Sequence, residues 1–264
     1  MSFEAVERNL RACFRAIASD RPGAEARDFA GITIASAGAE FQMFNSAFLA
    51  EPAGPSEADL ERRFAAAKVH FNARGIDWAF WLCEGLVDRS LHRRFRSTAA
   101  RHGLTWAVDL PGMYADGLLC PRRPLPKIEV RRVADEATRL AFCDIGSVCF
   151  HVPMRWFREI FLWQPMWTGP FAGYVGYVDG EPVVTAATMV DSGAGSGVVG
   201  VYNVATLPSH RRRGYGEALV RHALDAVAKE TGIRRTILQS TKTGLALYQQ
   251  MGYRAVTKVS VYAS

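Results

Sequence analysis

Cysteine is sparse in this chain and never paired in spacing. The five thiols, Cys13, Cys83, Cys120, Cys143 and Cys149, are odd in number and form no C-x-x-C, which argues against a disulfide framework and a zinc site and suits a reducing compartment. No metal is expected. There is no H-E-x-x-H and no G-x-x-x-x-G-K-[ST], so a zinc-protease helix and a nucleotide P-loop are excluded. No apolar run approaches the roughly 18 residues that span a bilayer. The first twenty residues, MSFEAVERNLRACFRAIASD, are charged throughout and read as an amphipathic helix rather than a secretory leader. These features predict a cytoplasmic protein with no membrane partner.

Acidic residues fall short of basic ones, 26 against 32, for a formal charge of +6. The surplus is local. Residues 127–264 carry 16 Lys/Arg and 11 Asp/Glu, whereas residues 1–126 are nearly balanced at 16 and 15. The densest basic run is Arg211-Arg212-Arg213. A nucleic-acid binder more often shows a broad basic stripe or arm, so a local anion site is the better reading and no nucleic-acid partner is expected. With 49% hydrophobic and 22% charged residues, the chain can bury a core and is not a disordered segment.

The proline-rich stretch Leu119-Cys-Pro-Arg-Arg-Pro-Leu-Pro-Lys127 can neither continue a helix nor sit in a central strand. It places a boundary near residue 126 and gives two domains, 1–126 and 127–264. In the second, strands are expected at 128–133, 174–178, 182–190, 198–206, 235–239 and 254–262. Helices are expected at 135–150, 154–162, 214–230 and 244–251. Asp179-Gly180 is a two-residue hairpin signal. The fold class is mixed α/β around a largely antiparallel sheet. The first half repeats part of this order, with helix 57–73, strand 78–83, helix 88–101 and strand 105–108. Two similar domains are one reading of that repetition; an unrelated helical-plus-sheet cap is the other.

The segment Val201-Tyr-Asn-Val-Ala-Thr-Leu-Pro-Ser-His-Arg-Arg-Arg-Gly-Tyr-Gly-Glu217 carries the chemistry. A strand ends at Thr206, a turn follows Pro208, and Arg211-x-x-Gly214-x-Gly216 opens a helix. The first turn of a helix has unpaired N–H groups and the positive end of the dipole. Gly214 and Gly216 remove side chains where a ligand must approach backbone. The competing reading is a glycine turn with solvated arginines. By contrast, Gly195-Ser-Gly197-Val-Val-Gly200 matches G-x-G-x-x-G only as a string. A β run follows it instead of a helix, so it reads as a hairpin loop.

The 201–217 segment resembles motif A of the GNAT superfamily of N-acetyltransferases. Leu238-Gln-Ser-Thr-Lys-Thr-Gly-Leu-Ala-Leu-Tyr248-Gln-Gln-Met-Gly-Tyr253 resembles the family's motif B, in the family's order and spacing. The resemblance implies a C-terminal GNAT fold with acetyl-CoA as cosubstrate. It implies that the pantetheine arm pairs with the backbone of Val204, Ala205 and Thr206, where the strand splays from its neighbour. Arg211, Arg212, Arg213, Gly214, Tyr215 and Gly216 then form the pyrophosphate loop, Ser240 and Thr241 flank the pantetheine end, and Tyr248 stands near the thioester sulfur as general acid. Thr241 stands where many members have Asn, and Gly244 where Ala is frequent.

The residues' own chemistry agrees with the tyrosine. A thiol of pKa near 8.5 is a fair leaving group, and a phenol near 10 can donate to the sulfur as charge develops. No general base stands out: residues 198–206 contain no carboxylate, and His151 and His210 have no evident place. The aromatic cluster His151, Trp156, Phe157, Phe161, Trp163, Trp167 and Phe171 reads either as core packing or as an acceptor pocket. The first half lacks Arg-x-x-Gly-x-Gly, so as a GNAT-like domain it has lost the pyrophosphate site. The resemblance implies transfer of an acetyl group to an amine, on a small molecule or a peptide; a non-catalytic acyl-CoA sensor of the same fold is the alternative. Acceptor, acyl-chain preference, oligomeric state and the first domain's role stay open.

Overall fold

The N-terminal amphipathic stretch folds as helix α1 (Ser2–Ala18), burying Val6, Leu10, Cys13, Phe14 and Ile17 along one face. It belongs to the first of two compact units in this computed structural model, which describes residues 2–193 and 197–264. The first unit runs to Gly112 and takes in Ala255–Ser264; the second is Met113–Arg254.

In the first unit, β1 (Glu25–Phe29), β2 (Ile32–Ser36) and β3 (Asn45–Leu49) form an antiparallel meander. The Ala30-Gly31 turn between β1 and β2 has positive φ at both residues, 51° and 77°, the twist that suits a tight hairpin. Helix α2 (Glu57–Asn72) then crosses over, and β4 (Ala79–Cys83) lies parallel to β3, with Ala79 opposite Ser46. The helix expected at 88–101 is shorter. Asp88 accepts from the amide of Ser90 and starts a 3₁₀ turn, and α3 spans only Phe95–Arg101. The strand expected at 105–108 continues through Pro111 as β5 (Thr105–Ala115).

The second unit follows the sequence pattern more closely. Asp135 accepts from the amide of Thr138, whose side chain returns to the Asp135 amide. This capping box starts α4 (Glu136–Phe150) after β6 (Glu129–Arg132). Helix α5 (Met154–Phe161) follows Pro153. Strands β7 (Phe171–Val178) and β8 (Glu181–Asp191) are joined at Asp179-Gly180, both with positive φ. Then come β9 (Val198–Thr206), α6 (Tyr215–Thr231), β10 (Thr236–Gln239) and α7 (Leu245–Gln250). The strand order is β10-β9-β8-β7-β6, antiparallel except for the β9–β10 pair. Leu219, Val220, Ala223 and Val227 of α6 pack on Val184, Ala186, Val199, Val201 and Leu238. The Gly195–Gly200 string falls partly on residues outside the described ones.

The last strand, β11 (Arg254–Ala263), pairs antiparallel with β4, from Val259 opposite Cys83 to Ala263 opposite Ala79. The compact units part at Gly112/Met113, and the C-terminal strand belongs to the first unit's sheet. The physical reason is pairing. Met113 and Ala115 at the end of β5 are buried in the second unit's core, while Tyr262 of β11 is buried in the first unit's.

Candidate active site

Strands β9 and β10 run parallel only over a short stretch, with Thr236, Ile237 and Leu238 opposite Val199, Gly200 and Val201. Beyond Val201, β9 continues to Thr206 without a partner on that side, while β8 still pairs with it on the other. The register between β8 and β9 shifts there, so that Asn203 and Val204 together oppose Ala186. Asn203 adopts φ 49°, and its carbonyl accepts from Thr185 Oγ1 at 2.9 Å. A bulge of this kind bends the strand and re-aims its backbone. Val204, Ala205 and Thr206 lie on the unpartnered stretch. The Ala205 side chain is buried, which leaves backbone as the feature it can offer a ligand.

From Thr206 the chain turns through a 3₁₀ segment, Pro208–His210, into α6. Arg212 and Gly214 both take left-handed φ, 64° and 88°. Gly214 is the N-cap and supplies no side-chain cap to the first-turn amides. A Cβ on Gly216 would stand 3.5 Å from Thr206 Oγ1, so strand end and helix start close on one another here. Glu217 in this first turn does not cap the helix but pairs with Arg221, Nε to Oε1 2.9 Å. The three arginines have different surroundings. Arg211 turns back, its Nε donating to the Thr206 carbonyl at 3.0 Å, beside the Cys149 thiol, which donates to the same carbonyl. Burial pushes the Cys149 thiol up, and the Arg211 guanidinium pulls it part of the way back. Arg212 and Arg213 are exposed and, among the described residues, have no ion-pair partner.

The motif B residues gather at the start of α7. Thr241 Oγ1 accepts from the Gly244 amide at 3.2 Å, and the Thr241 carbonyl accepts from Leu245. Fully buried Ser240 donates to the Thr241 carbonyl at 2.8 Å. Gly244 lies between Ser240 and Tyr248: a Cβ there would stand 2.9 Å from Tyr248 Cε2 and 3.3 Å from Ser240 Oγ. Alanine at this position would press on the ring, which explains glycine in this chain. Tyr248 is 7% exposed and packs edge-on against Tyr253, ring centroids 5.7 Å apart. Burial alone pushes its phenol above the ordinary value. Its hydroxyl has no hydrogen-bond partner among the described residues, whereas Tyr253 accepts from Thr236 Oγ1.

Phe157, Phe161, Trp167 and Phe171 are core residues, packed with Phe142 between α4, α5 and β7. Gly146 and Gly173 make room for the Phe157 and Trp167 rings. Trp156 and Trp163 are half-buried, and His151 is exposed as the left-handed C-cap of α4. Among the described residues, no group of three or more His, Cys, Asp or Glu could hold a metal ion, and no helix is long and apolar enough to cross a membrane.

Arg123 and Pro126, which no sequence motif singles out, also come to this point. Pro126 Cδ is 3.1 Å, and Arg123 Nη2 3.5 Å, from where a Gly214 Cβ would stand. Prolines on both sides of an arginine pair are visible in the sequence, but nothing local shows that the segment returns to the start of α6.

Residues 170–255 match the model of the GNAT acetyltransferase domain. No curated protein sequence matches the chain. Among solved structures, a GCN5-related N-acetyltransferase from Kribbella flavida is similar over 100% of this chain and 95% of its own, at 19% identity and TM-score 0.72. A GNAT-family acetyltransferase from Novosphingobium aromaticivorans gives 90% and 89%, 16% identity and 0.56. A tandem GNAT protein from the clavulanic acid biosynthesis pathway gives 99% and 94%, 11% identity and 0.55. At these identities the likeness is one of fold, and it extends over the whole chain.

Proposed function

Given that the chain carries a GNAT acetyltransferase domain over residues 170–255, we propose that its second unit transfers an acetyl group from acetyl-CoA to an amine. The observation that carries this reading is the gap beyond Val201. An unpartnered strand backbone leads directly into a glycine-opened helix N-terminus. Such an edge can take an extended amide-bearing arm in place of a strand, and the first-turn amides beyond it suit a phosphate. Both demands of an acyl-CoA are met on one continuous piece of chain.

The thioester supplies an activated acyl group and a thiolate leaving group. What the protein adds is position and a proton. The backbone of Val204, Ala205 and Thr206 holds the pantetheine arm, and the amides from Arg213 to Gly216, with Arg212 and Arg213 beside them, hold the diphosphate. Ser240 and Thr241 shape the turn that places Tyr248. Burial keeps the phenol protonated, so it can donate to the sulfur as negative charge develops there.

Calorimetric titration with acetyl-CoA, paired with thiol release over a panel of small amines and peptide N-termini, tests the proposal. Saturable binding with amine-dependent thiol release is expected. Binding without release for any amine would convert the reading to a non-catalytic acyl-CoA sensor, and no binding at all would overturn it.

A further inference from the structure

The proline-rich segment before β6 is tied down at both ends within the second unit. At one end, the Leu119 amide donates to the Met251 carbonyl at 2.9 Å, and the Leu119 carbonyl accepts from Arg221 Nη1 at 2.8 Å. Leu119 Cγ also fills the space over Gly252, 3.0 Å from where a Cβ would be. At the other end, Pro126 lies against Gly214. Pro121, Pro124 and Pro126 restrict the backbone between these anchors. The segment is thus a fixed strap passing the start of α6, and Arg123 is the side chain it delivers there, with Nη2 3.5 Å from the Gly214 Cβ position.

The charge at this point is one-sided. Arg123, Arg212 and Arg213 are exposed and, among the described residues, unpaired. Arg123 Nη2 lies by the Gly214 N-cap, and Arg212 and Arg213 immediately precede it in the chain, at a helix end whose dipole contributes roughly another +0.5 charge. The carboxylate of this turn, Glu217, is already held by Arg221. Placing a guanidinium against a positive helix end costs energy unless an anion joins them, and a diphosphate supplies the charge and the acceptor oxygens that a guanidinium fork fits.

We propose that Arg123 is a side-chain ligand of the acyl-CoA diphosphate, contributed by the strap rather than by the loop that opens α6. The inference rests on the acyl-CoA reading above. Its test is the Kd for acetyl-CoA, measured by calorimetry in the whole protein carrying Arg123→Ala. Loss of one charge-assisted contact should weaken binding about tenfold. Arg123→Lys, which keeps the charge but not the fork, should recover part of the loss. Arg122→Ala, the same charge change one residue away, should change Kd less than about twofold, as for an exposed charge with no direct contact.

With 3′-dephospho-acetyl-CoA the tenfold penalty of Arg123→Ala should persist. Its disappearance would move the contact to the 3′-phosphate and overturn the assignment. Equal Kd for wild type and Arg123→Ala would overturn the inference while leaving the acyl-CoA reading intact. A wild-type protein that binds no acetyl-CoA would remove both.

Discussion

At the scale of the residue, Tyr248 has a packed ring and a hydroxyl that no protein group engages among the described residues. The residue is only 7% exposed. A hydroxyl with no protein partner is free to donate to a ligand atom. Tyr248→Phe keeps the ring against Tyr253 and removes only the donor. Turnover should fall about a hundredfold, the range of general acids, with the acetyl-CoA Kd unchanged; unchanged turnover would remove Tyr248 from the chemistry. Gly244→Ala, by pressing a methyl on the ring edge, should lower turnover in the same direction. The phenol also has a signature in stability. Burial raises the pKa values of both Tyr248 and Tyr253, so the unfolded chain ionises first, near pH 10. Their contribution is complete below that pH and is lost as pH rises toward the folded values. The melting temperature should drop above about pH 10, and Tyr248→Phe should make that drop shallower.

At the scale of the element, β11 separates what could be read in the sequence from what could not. The alternation from Arg254 to Tyr262 marks a strand, and a strand forms there. Which sheet it joins is set by pairing with β4, some 180 residues earlier, and periodicity carries no information about partners. The same limit hid β1 to β3. Glu25–Phe29 is mostly polar and half-exposed, and the segments that follow mix Ala and Ser without strong alternation. The second unit was legible because its punctuation is local: the Asp135 cap, the Asp179-Gly180 turn, and the glycines opening α6. Of the candidate site, motif spacing points to the loop and to Tyr248, whereas the β9 bulge at Asn203 and the return of the Arg123 segment to α6 depend on tertiary register. Tyr262 lies opposite Phe80 and is buried in the first unit's core. Tyr262→Ala should cost about 3 kcal/mol, as for other large aromatic truncations. In hydrogen exchange it should deprotect Ala79–Cys83 while α6 stays protected; the opposite pattern would contradict the strand's assignment to the first unit.

At the scale of the whole molecule, the two units repeat one topology: an antiparallel run, a crossover helix, and a strand parallel to the last of the run. They differ at the point where the second unit is open. In the first unit, the chain leaving β3 forms a parallel bridge between Ala53 and Val87, and the Ala53 amide donates to the Leu86 carbonyl at 2.8 Å. The turn into α2 is filled by Arg63, a buried guanidinium donating to the carbonyls of Gly31, Glu51 and Pro52 and pairing with Asp59 at 3.0 Å. A ligand arm would have to displace a strand-like contact, and a phosphate would have to compete with Asp59 and three carbonyls for that cation. Removing the partners of a buried charge is among the costliest local changes. The expected stoichiometry is therefore one acetyl-CoA per chain, read as the inflection of a calorimetric titration. Gly214→Val, which forces a β-branched residue to φ near 88° and its Cβ to 3.1 Å from Pro126 Cδ, should abolish all of the binding heat. Two equivalents in the wild type, or binding that survives at one equivalent in Gly214→Val, would place a working site in the first unit despite the bridge and the buried arginine.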